Sequence, residues 1–103
     1  MFNKIDKNFN ELKINNTINN KELKHKDGRY VGQVVNGLRE GKGIEYYNDG
    51  NRYEGDFRND KREGKGIYYY NNGDREMGDY YNDKEIGKHV MLTRNGEVKT
   101  YNF

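Results

Sequence analysis

The side chains that could carry chemistry in this 103-residue chain are two histidines, 17 Asp and Glu, 19 Lys and Arg, and 10 tyrosines; Cys, Ser, Ala, Pro and Trp are absent. Thiol and serine nucleophiles, disulfide frameworks and Cys-based zinc sites therefore drop out together. The lysines of Gly41-Lys42-Gly43 and Gly64-Lys65-Gly66 sit between glycines as in a phosphate-binding loop, but that loop needs Ser or Thr next and a helix to follow, and here a glycine follows. His89 has no His or Cys at metal-ligand spacing and reads as a filler. The acids alternate with Lys and Arg as in cross-strand pairs, worth ~0.2–1 kcal/mol each. The expectation is a protein that is not an enzyme, with no catalytic residue, no cofactor and no metal site.

Tyrosine is the remaining resource. Tyr46-Tyr47 and Tyr68-Tyr69-Tyr70 are consecutive, so in a strand they place rings on both faces. That marks Tyr47, Tyr68 and Tyr70 as candidates for contact with a partner, since exposed contiguous aromatics usually signal an interface.

The elements that position these residues follow from composition. Leu, Ile, Val and Phe total 19, fewer than one in five, a core content typical of disorder, yet the net charge is only +2 and the tyrosines add surface to bury. All 13 glycines and all the tyrosines lie from Gly28 onward. The chain thus divides into an Asn- and Lys-rich leader, residues 1–27, and a glycine- and tyrosine-rich region, residues 28–103. In the leader, Phe2, Ile5, Phe9 and Leu12 fall at helical spacing, predicting a short amphipathic helix over about 3–13 that caps the repeats or binds a partner, the remaining alternative being a disordered tail. Residues 14–26 read as a linker. The second region balances 13 basic against 13 acidic residues, poor material for nucleic-acid binding. The leader alternates charged and apolar residues and has no apolar run of signal-peptide type, which predicts a cytoplasmic protein.

A period of 23 runs through the second region. Gly32, Gly55 and Gly78 share it, as do Gly41, Gly64 and Gly87, and Gly50, Gly73 and Gly96. Units of 28–50, 51–73 and 74–96 and a half unit of 97–103 result. Asp49-Gly50, Asn72-Gly73 and Asn95-Gly96 predict hairpin turns, with second turns near Asn36, Asn59 and Asn82. Strands are expected near 29–35, 42–47, 52–58, 65–71, 75–81, 88–93 and 97–103. Tyr53, Gly55 and Phe57 share one strand face, and on the return strands the parity of Ile44 and Tyr46, Ile67 and Tyr69, and Val90 and Leu92 is assigned to the core. A tyrosine ring lying flat on bare glycine backbone would let so aliphatic-poor a chain pack.

Tyr30-Val31-Gly32, then Arg39-Glu40-Gly41-Lys42-Gly43, then Asn48-Asp49-Gly50, repeated as Tyr53-Glu54-Gly55, Arg62-Glu63-Gly64-Lys65-Gly66 and Asn71-Asn72-Gly73, resemble the MORN (membrane occupation and recognition nexus) repeat. The third copy departs from it, with Glu76 for the leading tyrosine and His89 in the column of Gly43 and Gly66. The resemblance implies an all-β fold, an elongated single-layer antiparallel sheet built hairpin by hairpin. It also implies a scaffold or adaptor, associated with the cytoskeleton or another complex, that binds proteins or docks in a larger assembly, the less favoured alternatives being a membrane surface or a regulatory subunit of an enzyme on another chain. The last strand, weakly protected by charge, is expected to pair through Tyr101 and Phe103 with a partner or a second copy.

Overall fold

The computed structural model describes residues 19–103, so the expected helix bearing Phe2, Ile5, Phe9 and Leu12 lies outside the described residues. Eight strands, β1 (Asn19–His25), β2 (Gly28–Val35), β3 (Leu38–Tyr47), β4 (Arg52–Arg58), β5 (Lys61–Tyr69), β6 (Arg75–Tyr81), β7 (Lys84–Leu92) and β8 (Val98–Asn102), form one antiparallel sheet in chain order. Each strand pairs with the next, so the sheet grows by hairpins alone.

Two kinds of turn alternate. Asn36-Gly37, Asn59-Asp60 and Asn82-Asp83 hold positive φ at both central residues, the two-residue turn whose twist matches that of the flanking strands. Gly50, Gly73 and Gly96 close the wider turns, each N–H donating to a carbonyl three residues back, Tyr47, Tyr70 and Thr93 respectively. The middle glycine column has a third role. The register slips between Gly32 and Val34, again between Gly55 and Phe57, and again between Met77 and Asp79. Opposite those slips Gly41, Gly64 and Gly87 have φ of 78°, 74° and 70°. A bulge thus recurs in every repeat, and a residue with a Cβ would be strained there. Because the chain passes through the bulge without leaving the sheet, the return strands begin at 38, 61 and 84, earlier than expected.

β1 was not expected either. Residues 19–25, read as the end of a linker, pair in register with β2, from Asn19 opposite Val34 to His25 opposite Gly28. Leu23 packs on the core. The strand lacks both the period and the alternation that betray its neighbours, and its order comes from the edge that β2 offers.

The core lies on one face. Tyr30, Val34, Tyr53, Phe57 and Tyr80 are buried there, together with Glu45, Glu76 and His89. Their rings form an edge-to-face series along the sheet: Tyr30–Phe57 at 5.1 Å, Phe57–Tyr53 at 5.2 Å, Tyr53–Tyr80 at 5.0 Å, Tyr80–His89 at 5.4 Å and His89–Phe103 at 5.0 Å. Each such pair contributes about 0.5–1.5 kcal/mol beyond the area it buries. The rings of Tyr30 and Tyr53 lie on Gly43 and Gly66 of the neighbouring strand, so close that a Cβ would fall 2.3 Å from Cε1 of Tyr30 at Gly43 and 2.2 Å from Cε1 of Tyr53 at Gly66.

This packing corrects the expected parity of the return strands. Glycine opposite glycine shares a face, and Gly32 pairs with Gly43, Gly55 with Gly66. The ring face of β3 and β5 therefore carries Glu45, Tyr47 and Tyr68. Ile44, Tyr46, Ile67, Tyr69, Val90 and Leu92 point to the other side, where they are half-buried. Removal of a side chain selected the core face, and aliphatic character did not.

Candidate functional site

The face opposite the rings is built from rows that cross the strands. Register aligns Val31, Ile44, Glu54, Ile67, Met77 and Val90 side by side over β2 to β7. Five of the six are apolar, and Val31 and Met77 are 37% and 43% exposed. No second layer of this chain covers the row among the described residues. A depression of about 500 Å³ runs beside it between Ile67 and Met77, bounded by Glu54, Lys65, Asp79 and Lys88.

Two polar rows flank it. On one side Lys24, Arg29, Tyr46, Arg52, Tyr69 and Arg75 lie in register. The Arg29 guanidinium stands 4.2 Å over the Tyr46 ring and that of Arg52 3.8 Å over Tyr69, which holds the cations flat on the sheet. Arg52 also donates to Glu54 at 2.9 Å. On the other side Lys42 pairs with Asp56 at 2.6 Å and Lys65 with Asp79 at 3.2 Å. These exposed pairs add little stability and are free to exchange partners.

On the ring face, Arg39 and Arg62, 23 residues apart, staple consecutive repeats. Each donates from Nε and Nη2 to the Asp two strands on: Arg39 to Asp60 Oδ1 at 2.8 Å, Arg62 to Asp83 Oδ1 at 2.7 Å and to the Asp83 carbonyl at 2.7 Å. Burial pushes the Asp60 carboxyl up, but the hydrogen bonds and charge of Arg39 outweigh it and hold the carboxyl below the ordinary value. Arg39 Nη1 also donates to Glu45 at 3.1 Å, and His25 of β1 contacts the same carboxylate. Glu45 is fully buried and thereby satisfied.

The tyrosines singled out for contact, Tyr47, Tyr68 and Tyr70, lie together on this ring face. Tyr47 stacks on Tyr68 at 5.9 Å, Tyr68 meets Tyr70 at 4.9 Å, and Tyr70 donates to Glu76 at 3.0 Å. Tyr47 and Tyr68 pack against the core, and burial pushes the Tyr47 phenol up to about 12. Their neighbours Tyr46 and Tyr69 are capped by arginines on the opposite face, so each of these five rings has a ring or cation partner. Tyr101 and Phe103 are exposed, at 39% and 57%, although the Phe103 ring also closes the aromatic series on His89. Phe103 exchanges both backbone hydrogen bonds with Gly87. By alternation, Val98, Thr100 and Asn102 direct their N–H and C=O groups to the outer edge of β8.

Three residues of the third repeat escaped the sequence reading as a group. Glu76, Glu85 and His89 bring ligand atoms within 4.8 Å of one another. The signal was present, since all three break their columns: Glu76 follows Tyr30 and Tyr53, Glu85 follows Arg39 and Arg62, and His89 follows Gly43 and Gly66.

No curated protein matches the chain. Residues 30–52 and 53–75 each match the MORN repeat, the two segments in which the tyrosine-on-glycine packing and the hairpin pairing are most regular; the chain carries MORN repeats.

Proposed function

We propose that the chain is a non-catalytic scaffold that holds a protein partner on the face opposite its ring core. MORN repeats are generally involved in protein or membrane-lipid interactions. The observation that carries the finer reading is the apolar row Val31, Ile44, Ile67, Met77 and Val90, left open across β2, β3 and β5 to β7 beside a line of four cations, Lys24, Arg29, Arg52 and Arg75. Apolar centre, polar rim and stacked arginines match the make-up of protein interfaces. The partner that fits offers an apolar ridge bordered by acids.

The test replaces Val31 and Met77, the two exposed members, with Lys. Affinity capture from cells, compared between wild type and the double variant, is expected to lose a defined set of proteins while circular dichroism stays unchanged. Equal recovery by both proteins overturns the reading. Co-sedimentation with anionic vesicles separates the membrane alternative, because added lysines preserve or strengthen lipid attraction while they remove the apolar contact. A second contact is the outer edge of β8, a template for a strand of a partner or a second copy. Deleting residues 97–103 is expected to abolish self-association in light scattering; undiminished association moves the contact to the open face.

A further inference from the structure

We propose that Glu76, Glu85 and His89 form a binding site for a divalent transition-metal ion of the Zn²⁺ class. Glu76 and His89 are 3% and 0% exposed. His89 Nε2 lies 2.8 Å from the Asp79 carbonyl, and a carbonyl only accepts, so Nε2 carries the proton. That leaves Nδ1 aimed at Glu76 Oε2, 2.8 Å away. The approach lacks the direction a hydrogen bond needs, and neither atom has another partner. With the imidazole neutral, two buried lone-pair donors face each other, an arrangement that costs free energy unless a cation enters between them.

The repeat shows what is missing. In the first repeat the buried carboxylate of Glu45 takes its positive charge from Arg39. The same column in the third repeat holds Glu85, a second anion in place of the guanidinium. One cation has been removed and one ligand added at the same place.

The supporting groups are those a metal site uses. A ligating histidine ordinarily donates its other N–H to a carbonyl, here Asp79, and a ligating carboxylate is itself hydrogen-bonded, here by Tyr70. The imidazole is fixed by its seat on Gly78, where a Cβ would fall 2.3 Å from Cδ2, and by the rings of Tyr80 and Phe103. One nitrogen and two carboxylates favour a transition ion over Ca²⁺ or Mg²⁺, which prefer all-oxygen shells. Donor atoms around tetrahedral zinc lie about 3.3 Å apart; a rotamer change of half-buried Glu85 closes the gap. A cavity of about 230 Å³ bounded by Arg62, Tyr68, Tyr70, Tyr80 and Glu85 gives access.

The experiment titrates the full chain, stripped with a chelator, with ZnCl2, MnCl2 and CaCl2 by calorimetry and follows thermal unfolding. Saturable one-to-one binding of Zn²⁺ with a raised melting temperature, and none of Ca²⁺, is expected. Glu85→Gln is expected to weaken Zn²⁺ binding about tenfold or more. The double variant Glu76→Tyr with His89→Gly rebuilds the pairing of Tyr53 on Gly66, so it is expected to fold and to lose the one-to-one site. Zn²⁺ binding of equal affinity in the folded double variant, or no saturable binding by the wild type, overturns the proposal.

Discussion

Beneath the first repeat, Glu45 accepts from Arg39 at 3.1 Å and meets His25, while the Tyr30 ring lies on Gly43 of the next strand. Beneath the third, the bare glycine is Gly78, the ring on it is His89, and the carboxylate is Glu76, which Tyr70 alone donates to at 3.0 Å. The ring has changed strands, from the outgoing strand of the hairpin to the return strand, and the glycine it covers has changed with it. A repeat therefore requires one flat ring on one bare glycine, and which strand supplies which is free. The exchange replaces a hydroxyl that is easily satisfied with an imidazole, and the substitution of Glu85 in the arginine column converts a closed ion pair into an open cluster of ligands.

The largest expected effect tests the shared requirement. Gly66→Val would place its Cβ within 2.2 Å of the Tyr53 ring, which must leave its seat; overpacking of this kind costs about 3 kcal/mol. Gly55→Val, whose Cβ would fall 2.5 Å from the Lys65 carbonyl oxygen, is expected to cost about as much. Urea denaturation measures both, and an unchanged midpoint would remove the ring-on-glycine account from every repeat.

A smaller effect separates the two versions of the pairing. Glu76→Tyr alone sets two rings over the same glycine region, and His89→Gly alone leaves a void where the imidazole packed on Gly78 between Tyr80 and Phe103; each is expected to destabilise by about 2 kcal/mol. Together they restore the second repeat's arrangement, so the metal-free double variant is expected to recover most of the loss, a coupling of about 2 kcal/mol in a double-mutant cycle. Additive losses would mean that the two columns do not exchange as a unit.

Much of this was legible in the sequence. The 23-residue spacing of the glycines and the Asx-Gly pairs suffices for the sheet and its hairpins, because turn chemistry is local and each turn is written in two or three residues. The side of the return strands was not, since Ile44, Ile67 and Val90 outrank Glu45, Tyr68 and His89 on any hydrophobic measure. The deciding fact is cross-strand: Gly43 and Gly66 lie opposite Gly32 and Gly55, so the bare patch and its parity are set by pairing. β1 escaped for a similar reason, as Asn19–His25 owes its strand to the edge of β2. The candidate faces were half-legible. Tyr101 and Phe103 stand exposed, whereas Tyr47, Tyr68 and Tyr70 pack among themselves once the parity is reversed. The convergence of Glu76, Glu85 and His89 needed the third dimension, although each is a visible break in its column.

The smallest expected effect concerns the junction between the first two repeats, where Arg39 holds Asp60. Burial raises that carboxyl, but the Arg39 hydrogen bonds and charge prevail, and the folded value lies below that of a free Asp, about 3.9. Between the two values the unfolded chain binds more protons than the folded one, so stability rises with pH in that window. The contribution is complete above about pH 4 and is lost as pH falls through the lowered folded value. Because the Asp60 side chain is 47% exposed, solvent screening reduces the gain to about 0.5 kcal/mol or less. Urea midpoints measured between about pH 6 and pH 3 are expected to fall less steeply in Asp60→Asn than in the wild type. An identical acid limb in the two proteins would show that this staple sets the geometry of the junction and adds nothing to its stability. The inter-repeat order would then rest on the ring series and the backbone ladder alone.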